Sequence, residues 1–300
     1  MAATGICEHT FRLAFIGSAC RDGRLRRGGI AVQRSQVSGI GMYVYGATAI
    51  ALGVIGLVWR DFATNWQRVG PDVPHRVLLA CLAAVVEVCG GLALFSRRTA
   101  RLGASMLTLF YAVCVALWVP RLVAAPAVYD GWGNFFEETS LMIGGLVLCA
   151  ALAPPDSVFA RRESLISRLY AICVISFGAE HFIYFSGAAA WVPPWLPPGQ
   201  KFWVAVTGAC FLLAAASILT GILSGIASTL LTIMILLFEA LVWVPKLFAA
   251  PHDHFAWSGN GICLVMGAAA WVVADSIHRR RERLPLRQNA EVVQRQSAAV

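Results

Sequence analysis

Trp118-Val119-Pro120-Arg121-Leu122-Val123-Ala124-Ala125-Pro126 returns 125 residues later as Trp243-Val244-Pro245-Lys246-Leu247-Phe248-Ala249-Ala250-Pro251. Working outward at that spacing, Trp132 falls on Trp257, Trp66 on Trp191, Gly53 on Gly178 and Tyr45 on Tyr170. A register held that far is the signature of an internal repeat. Aromatic belts at membrane boundaries recur in unrelated helices, but they do not fix a register. The sequence therefore reads as two copies of one unit.

The chain has 300 residues, 58% hydrophobic and 13% charged, with a mean hydropathy of +0.69. A soluble domain carries about 25% charged residues. This composition excludes a disordered chain, a nucleic-acid-binding domain and an ordinary soluble enzyme. Eight apolar runs stand out, at 39–59, 77–95, 102–119, 137–153, 166–185, 202–222, 226–244 and 260–276. Each approaches the roughly 20 residues that a helix needs to cross a bilayer core. The expected fold is an all-α polytopic membrane protein, with eight transmembrane helices as two parallel four-helix repeats. Each unit crosses an even number of times, so both insert the same way. The expected layout is a basic, disordered segment 1–38, a first unit 39–153, a linker 154–165, a second unit 166–276 and a basic tail 277–300. The N-terminus has no cleavable signal pattern, and Met42 is an alternative initiator at the head of the first run. The fourth run starts at Glu137 and Glu138, which this reading leaves at headgroup level.

Charge sets the orientation. Net charge is +8. Arg97, Arg98 and Arg101 follow the second run, Arg161, Arg162 and Arg168 sit between spans four and five, and Arg279, Arg280, Arg281, Arg283, Arg287 and Arg295 fill the tail. The alternate loops carry little net positive charge. The positive-inside rule makes both termini cytoplasmic. The expected location is a bacterial inner membrane, and the expected partners are the lipid bilayer and other membrane or redox subunits, with no nucleic acid. Of nine cysteines, none forms CxxC and seven lie in apolar runs, so they read as small buried residues and not as a disulfide framework.

Pro120 and Pro245 remove a backbone donor, so each Trp-Val-Pro reads as a helix stop at the interface. The run from Trp191 to Gly199 holds four prolines and reads as a stiff, extended cap over the second unit.

Gly178-Ala179-Glu180-His181-Phe182, followed by Val192-Pro193-Pro194-Trp195-Leu196-Pro197, Trp203 and Gly208, resembles the DoxX/DoxD family of small membrane proteins. The resemblance covers 166–276, and reaches 42–153 through the repeat, where Gly56 stands at the His181 position. It implies a four-helix unit. It also implies a quinone- or sulfur-linked role, since some members are subunits of thiosulfate:quinone oxidoreductase or other membrane oxidoreductases. Fold is the stronger implication.

Ionisable groups inside apolar runs are the candidate site, because charge in hydrocarbon is costly and faces a bundle interior or a polar cavity. Glu87 lies mid-span on a face with Ala80, Ala83, Ala84 and Gly91, and reads equally as an interhelical hydrogen-bonding group. Glu180 and Glu239 share one depth near the outer ends of their spans, and His181 adjoins Glu180. Glu180, His181 and Glu239 are therefore expected to meet in one outward-facing, proton-handling or ligand pocket of the second unit. The first unit has Ile55, Gly56 and Cys114 at those positions. His252-Asp253-His254 has metal-ligating residue types but no third histidine at fixed spacing, so no metal is assigned. There is no CxxCH, P-loop or dinucleotide motif. A quinone is the cofactor the reading allows, and it would have to carry the electron chemistry itself. A small-solute transporter or channel and a non-catalytic scaffold are the competing functions.

Overall fold

The computed structural model describes residues 39–154 and 156–298, with only the backbone course described for most of 283–298. The segment 1–38 lies outside the described residues. Every regular element among them is helical: α1 (Ile40–Trp59), α2 (Arg76–Ala93), α3 (Ala100–Ala124), α4 (Tyr129–Leu152), α5 (Val158–Ile183), α6 (Phe185–Trp191), α7 (Gln200–Thr220), α8 (Ser224–Phe238), a π-helical turn (Glu239–Trp243), α9 (Val244–Ala249) and α10 (His254–Ala298). Eight spans are long and apolar enough to cross a membrane, one of them formed by α8, the π turn and α9 together. The protein is thus an all-helical membrane protein.

Several boundaries differ from the expected ones, each for a local reason. α4 starts at Tyr129, eight residues before Glu137, so the Glu137–Glu138 pair is inside the span and not at the headgroups. α5 starts at Val158, where the Ser157 hydroxyl accepts the Ala160 N–H at 3.2 Å; the arginines expected in a long linker are helical. α10 runs on through the basic tail to Ala298. The Trp-Val-Pro segments do not stop their helices: α3 carries Pro120 inside it, and α9 continues past Pro245. The proline run after Trp191 is turned, not extended. Gln200 donates its side-chain N–H to the Val192 carbonyl at 2.6 Å and Trp203 donates to the Pro197 carbonyl at 3.0 Å, folding the loop back on α7.

Within the first half α1 packs on α2, α2 on α3 and α3 on α4; within the second, α5 packs on α7, α7 on α8 and α8 on α10. The halves meet through α4 and α10. α1 packs on α10, α5 packs on α4, and α4 packs on α10. Small residues make these approaches possible, as in other membrane helices. A Cβ on Gly91 would stand 2.5 Å from the Gly46 carbonyl oxygen, and one on Gly144 would stand 2.7 Å from the Cβ of Ala269. Gly144 and Ala269 are themselves 125 apart. Outward faces carry Val58, Leu109, Leu213, Ile222 and Leu230, all exposed and suited to lipid.

The quoted segments end alike. Ala125 has φ −144° and ψ 63°, and Ala250 has φ −138° and ψ 68°. Their amides bond back to Arg121 at 3.0 Å and Lys246 at 2.8 Å. Trp132 then donates its indole N–H to the Pro126 carbonyl at 3.0 Å, and Trp257 donates to Pro251 at 2.9 Å. Both loops lie at the end of the bundle opposite Ile40. Nine of the ten tryptophans, all but Trp271, fall at or near that end. It is called the tryptophan end below; the opposite, arginine end carries the Glu163–Arg279 ion pair at 3.5 Å.

Candidate functional site

The three residues expected to share a pocket have separate surroundings. His181 points into the second half: its Nδ1 lies 2.8 Å from the Phe177 carbonyl oxygen, and its ring packs against Phe211 and Phe238. That is a half-buried histidine satisfied by its own backbone. Glu180, one residue earlier, is turned by about 100° and faces α4, where its carboxylate presses on Gly133. Glu239 opens the π turn and accepts a short hydrogen bond from the Asn260 amide of α10. Its second oxygen is buried without a partner, and Cys263 is its neighbour. Among the described residues, no hydrogen bond joins Glu180, His181 and Glu239.

What joins two of them is Glu137, which the sequence reading left at the headgroups. Glu137 stands one turn along α4 from Gly133, which the Glu180 carboxylate touches, and the Trp66 ring bonded to it packs against Trp243 of the π turn that Glu239 opens. The Glu137 carboxylate accepts the Trp66 indole N–H at 2.6 Å. The carboxylates of α4, α5 and the π turn thus line the seam where the two halves meet. Above them toward the tryptophan end is an aromatic wall. Trp66 lies 5.8 Å from Trp243 and 5.7 Å from Phe255, and Trp243 lies 5.3 Å from Trp191. The Lys246 ammonium stands 2.9 Å from the Trp191 ring centre and 5.1 Å from that of Trp243.

Two features accompany the π turn. Pro245 lacks an N–H and crowds the preceding turn, but Pro120 does the same inside an unbroken α3. The second is α10. Gly259 leaves a hollow that the Trp243 ring fills; a Cβ there would be 1.9 Å from the indole. Asn260, the next residue, holds Glu239. Glu239 and Trp243, four residues apart, both face α10, and single π turns often mark functional positions.

A separate group of acids occupies the first half. Glu87 accepts from the Gln67 amide at 3.3 Å, and Gln67 in turn accepts the Ala63 N–H at 3.1 Å. Glu138 is 1% exposed and both its oxygens are buried without partners, as is the Tyr111 hydroxyl. Among the described residues there are two ion pairs, Arg76–Asp61 and Arg279–Glu163, and neither reaches these acids.

The His252–His254 run diverges. Asp253 accepts the Phe255 N–H at 3.0 Å and the His254 ring stacks on Trp59 at 4.8 Å.

Glu137, Glu138, Gln67 and Asn260 were not singled out from sequence. The signal for the two glutamates was the repeat itself. Trp132 shares a register with Trp257, and the start of the eighth run at 260 maps at the 125-residue offset onto 135, which places both glutamates inside the fourth span. Gln67 and Asn260 carried no such signal.

No family model, curated protein or solved structure matches the chain.

Proposed function

We propose that the chain is a DoxX-like membrane protein of two parallel four-helix units. Its seam carboxylates exchange protons with a quinone on behalf of a membrane oxidoreductase. The observation that carries the reading is Glu137, bonded to Trp66, between Glu180 and the Glu239 turn and beneath the aromatic wall. Flat apolar rings suit a quinone head group, and neighbouring carboxyls suit its protonation. Reduction of the quinone takes two electrons and two protons. A redox partner subunit supplies the electrons and the seam supplies the protons. Helix boundaries and loop hydrogen bonds that repeat at 125 residues support the duplicated unit. Arginine placement supports cytoplasmic termini in a bacterial inner membrane.

The test is a quinone-reduction difference spectrum on native membranes carrying the chain and its co-purifying partners. Glu137→Gln keeps the hydrogen bond to Trp66 and removes the proton. It is expected to slow reduction by about 10²-fold, the scale of one acid–base group. Unchanged reduction in a protein that still accumulates would reject the reading. For orientation, Asp253→Cys is expected to react with an impermeant thiol reagent in whole cells and Arg98→Cys to stay unreacted. The π turn at Glu239 favours a second reading, solute transport, because carriers build sites at interrupted helices. Flux in proteoliposomes lacking any redox partner would select it.

A further inference from the structure

The aromatic wall has an acid at one end and a cation at the other. At the Trp66 end, Glu137 accepts the indole N–H at 2.6 Å. Trp243 stands next, 5.8 Å from Trp66 and 5.3 Å from Trp191. At the Trp191 end, the Lys246 ammonium stands 2.9 Å from the ring centre and 5.1 Å from that of Trp243. Lys246 is half-buried, and among the described residues it makes neither an ion pair nor a hydrogen bond. Ring faces hold its charge, but they leave its three N–H donors without an ordinary acceptor. A partly buried donor without an acceptor is costly. Arg76 shows the contrast: it also rests on a ring, 5.5 Å from the centre of Phe62, but Asp61 already answers its charge.

We propose that Lys246 orients a para-quinone on this wall, donating a hydrogen bond to one ring carbonyl oxygen while the opposite carbonyl faces Glu137. The inference rests on the quinone reading of the seam and adds the group that fixes how the ring lies. A para-quinone is the class that fits, because its two oxygens stand at opposite ends of one flat ring. The four-carbon stem of lysine is flexible, so the ammonium can turn from the Trp191 face to a ligand oxygen. Its positive charge opposes the negative charge that builds on that oxygen as the partner subunit supplies electrons. Both protons come from the seam, and Lys246 keeps its own. The repeat shows that neither half carries the arrangement alone. Trp66 matches Trp191 at the 125-residue offset, but Glu137 matches Ile262, and Arg121 matches Lys246. Among the described residues no cation stands over Trp66; the cations on rings are Arg68 at Trp118, Arg76 at Phe62 and Lys246. The acid therefore comes from the first half and the ring-held cation from the second.

Titration calorimetry on the full chain in lipid nanodiscs, with empty nanodiscs as the blank, tests this without any redox partner. The two probes are a dimethyl-substituted para-naphthoquinone and the dimethylnaphthalene of the same shape, which lacks the carbonyls. The wild type is expected to bind the quinone more tightly than the hydrocarbon. Lys246→Met is expected to weaken the quinone about tenfold, the scale of one hydrogen bond to a charged group, and to leave the hydrocarbon unchanged. Lys246→Arg, which keeps a cationic donor, is expected to retain most of the preference. Equal weakening of both probes in Lys246→Met would make Lys246 a packing residue and overturn the proposal. So would a quinone affinity that the variant leaves unchanged, and in that case the quinone reading of the seam survives. Saturable binding of neither probe to the wild type would reject that reading and this inference together. A wild-type ratio of affinities near one overturns the proposal even if a variant fails to accumulate.

Discussion

Trp118 and Trp243 head the same nine-residue phrase and end up doing different things. Trp118 is sealed in the first half, donates its indole N–H to the Trp66 carbonyl at 2.8 Å and carries the Arg68 guanidinium over its ring. Trp243 sits over α10 in the aromatic wall, in a turn widened by one residue. The shared proline leaves α3 regular and accompanies a π turn in the second half. The lesson is that the motif specifies the loop that follows it, while the neighbour specifies the helix that precedes it. Where α10 offers a glycine hollow and an asparagine, the helix yields; α4 offers Asn134 at the first of those positions and Phe135 at the second, and α3 stays regular.

The largest test of that difference is the hollow. Gly259→Leu drives a side chain into the Trp243 ring and is expected to cost about 3 kcal/mol, as overpacked cores do. Asn134→Leu, at the matching site, is expected to cost under about 1 kcal/mol, since its exposed side chain bonds only within its own turn, to the Asp130 carbonyl and carboxylate. Thermal unfolding in detergent checks both, and equal losses would mean that the two helices see equivalent neighbours. Next in size are the tryptophans. Trp118→Phe leaves the Trp66 carbonyl without its donor and is expected to cost about 1–3 kcal/mol. Trp243→Phe loses part of the ring that fills the Gly259 hollow but no recorded hydrogen bond, and is expected to cost about 1 kcal/mol.

The cause of the π turn can be separated from its proline. Asn260→Leu strips the donor from Glu239 and is expected to return the turn to α geometry, rotating α9 by about 100°. Pro245→Ala alone is expected to leave it in place. A spin label at Phe248, 84% exposed, reads the rotation as a move from a lipid-facing to a protein-facing environment. If the proline variant rotates α9 and the asparagine variant does not, α10 is not the cause.

The sequence disclosed what depends on length, hydropathy and register: eight spans, small-residue packing faces and the repeated loops. It misplaced what depends on tertiary partners. Glu137 and Glu138 depress the apolar average, so the apolar run is read as starting at them, although the span begins at Tyr129. His181 and Glu180 share a depth, but adjacent residues on a helix face different neighbours, and depth alone does not reveal which one meets α4. Gln67 acquires its role only when the loop 60–75 folds over Glu87. Pairings across the seam have no linear period, so no pattern in the chain announces them.

The smallest effect is the one where the halves should agree. Trp132 and Trp257 each close their loop by donating to the carbonyl of the proline six residues earlier, at 3.0 and 2.9 Å, after caps with matching backbone angles. Both bonds are near the surface, where water or headgroups replace a lost donor, so Trp132→Phe and Trp257→Phe are each expected to cost about 0.5–1 kcal/mol. The informative quantity is their difference. The loop motif is self-contained, running from the cap alanine to the tryptophan seven residues on, so the helix before it has no leverage on that bond. Equal costs, and additive costs in the double variant, are expected for sites this independent. A loss at Trp257 several-fold larger than at Trp132 would show that the π turn propagates strain into its loop, and the separation between motif and neighbour would fail there.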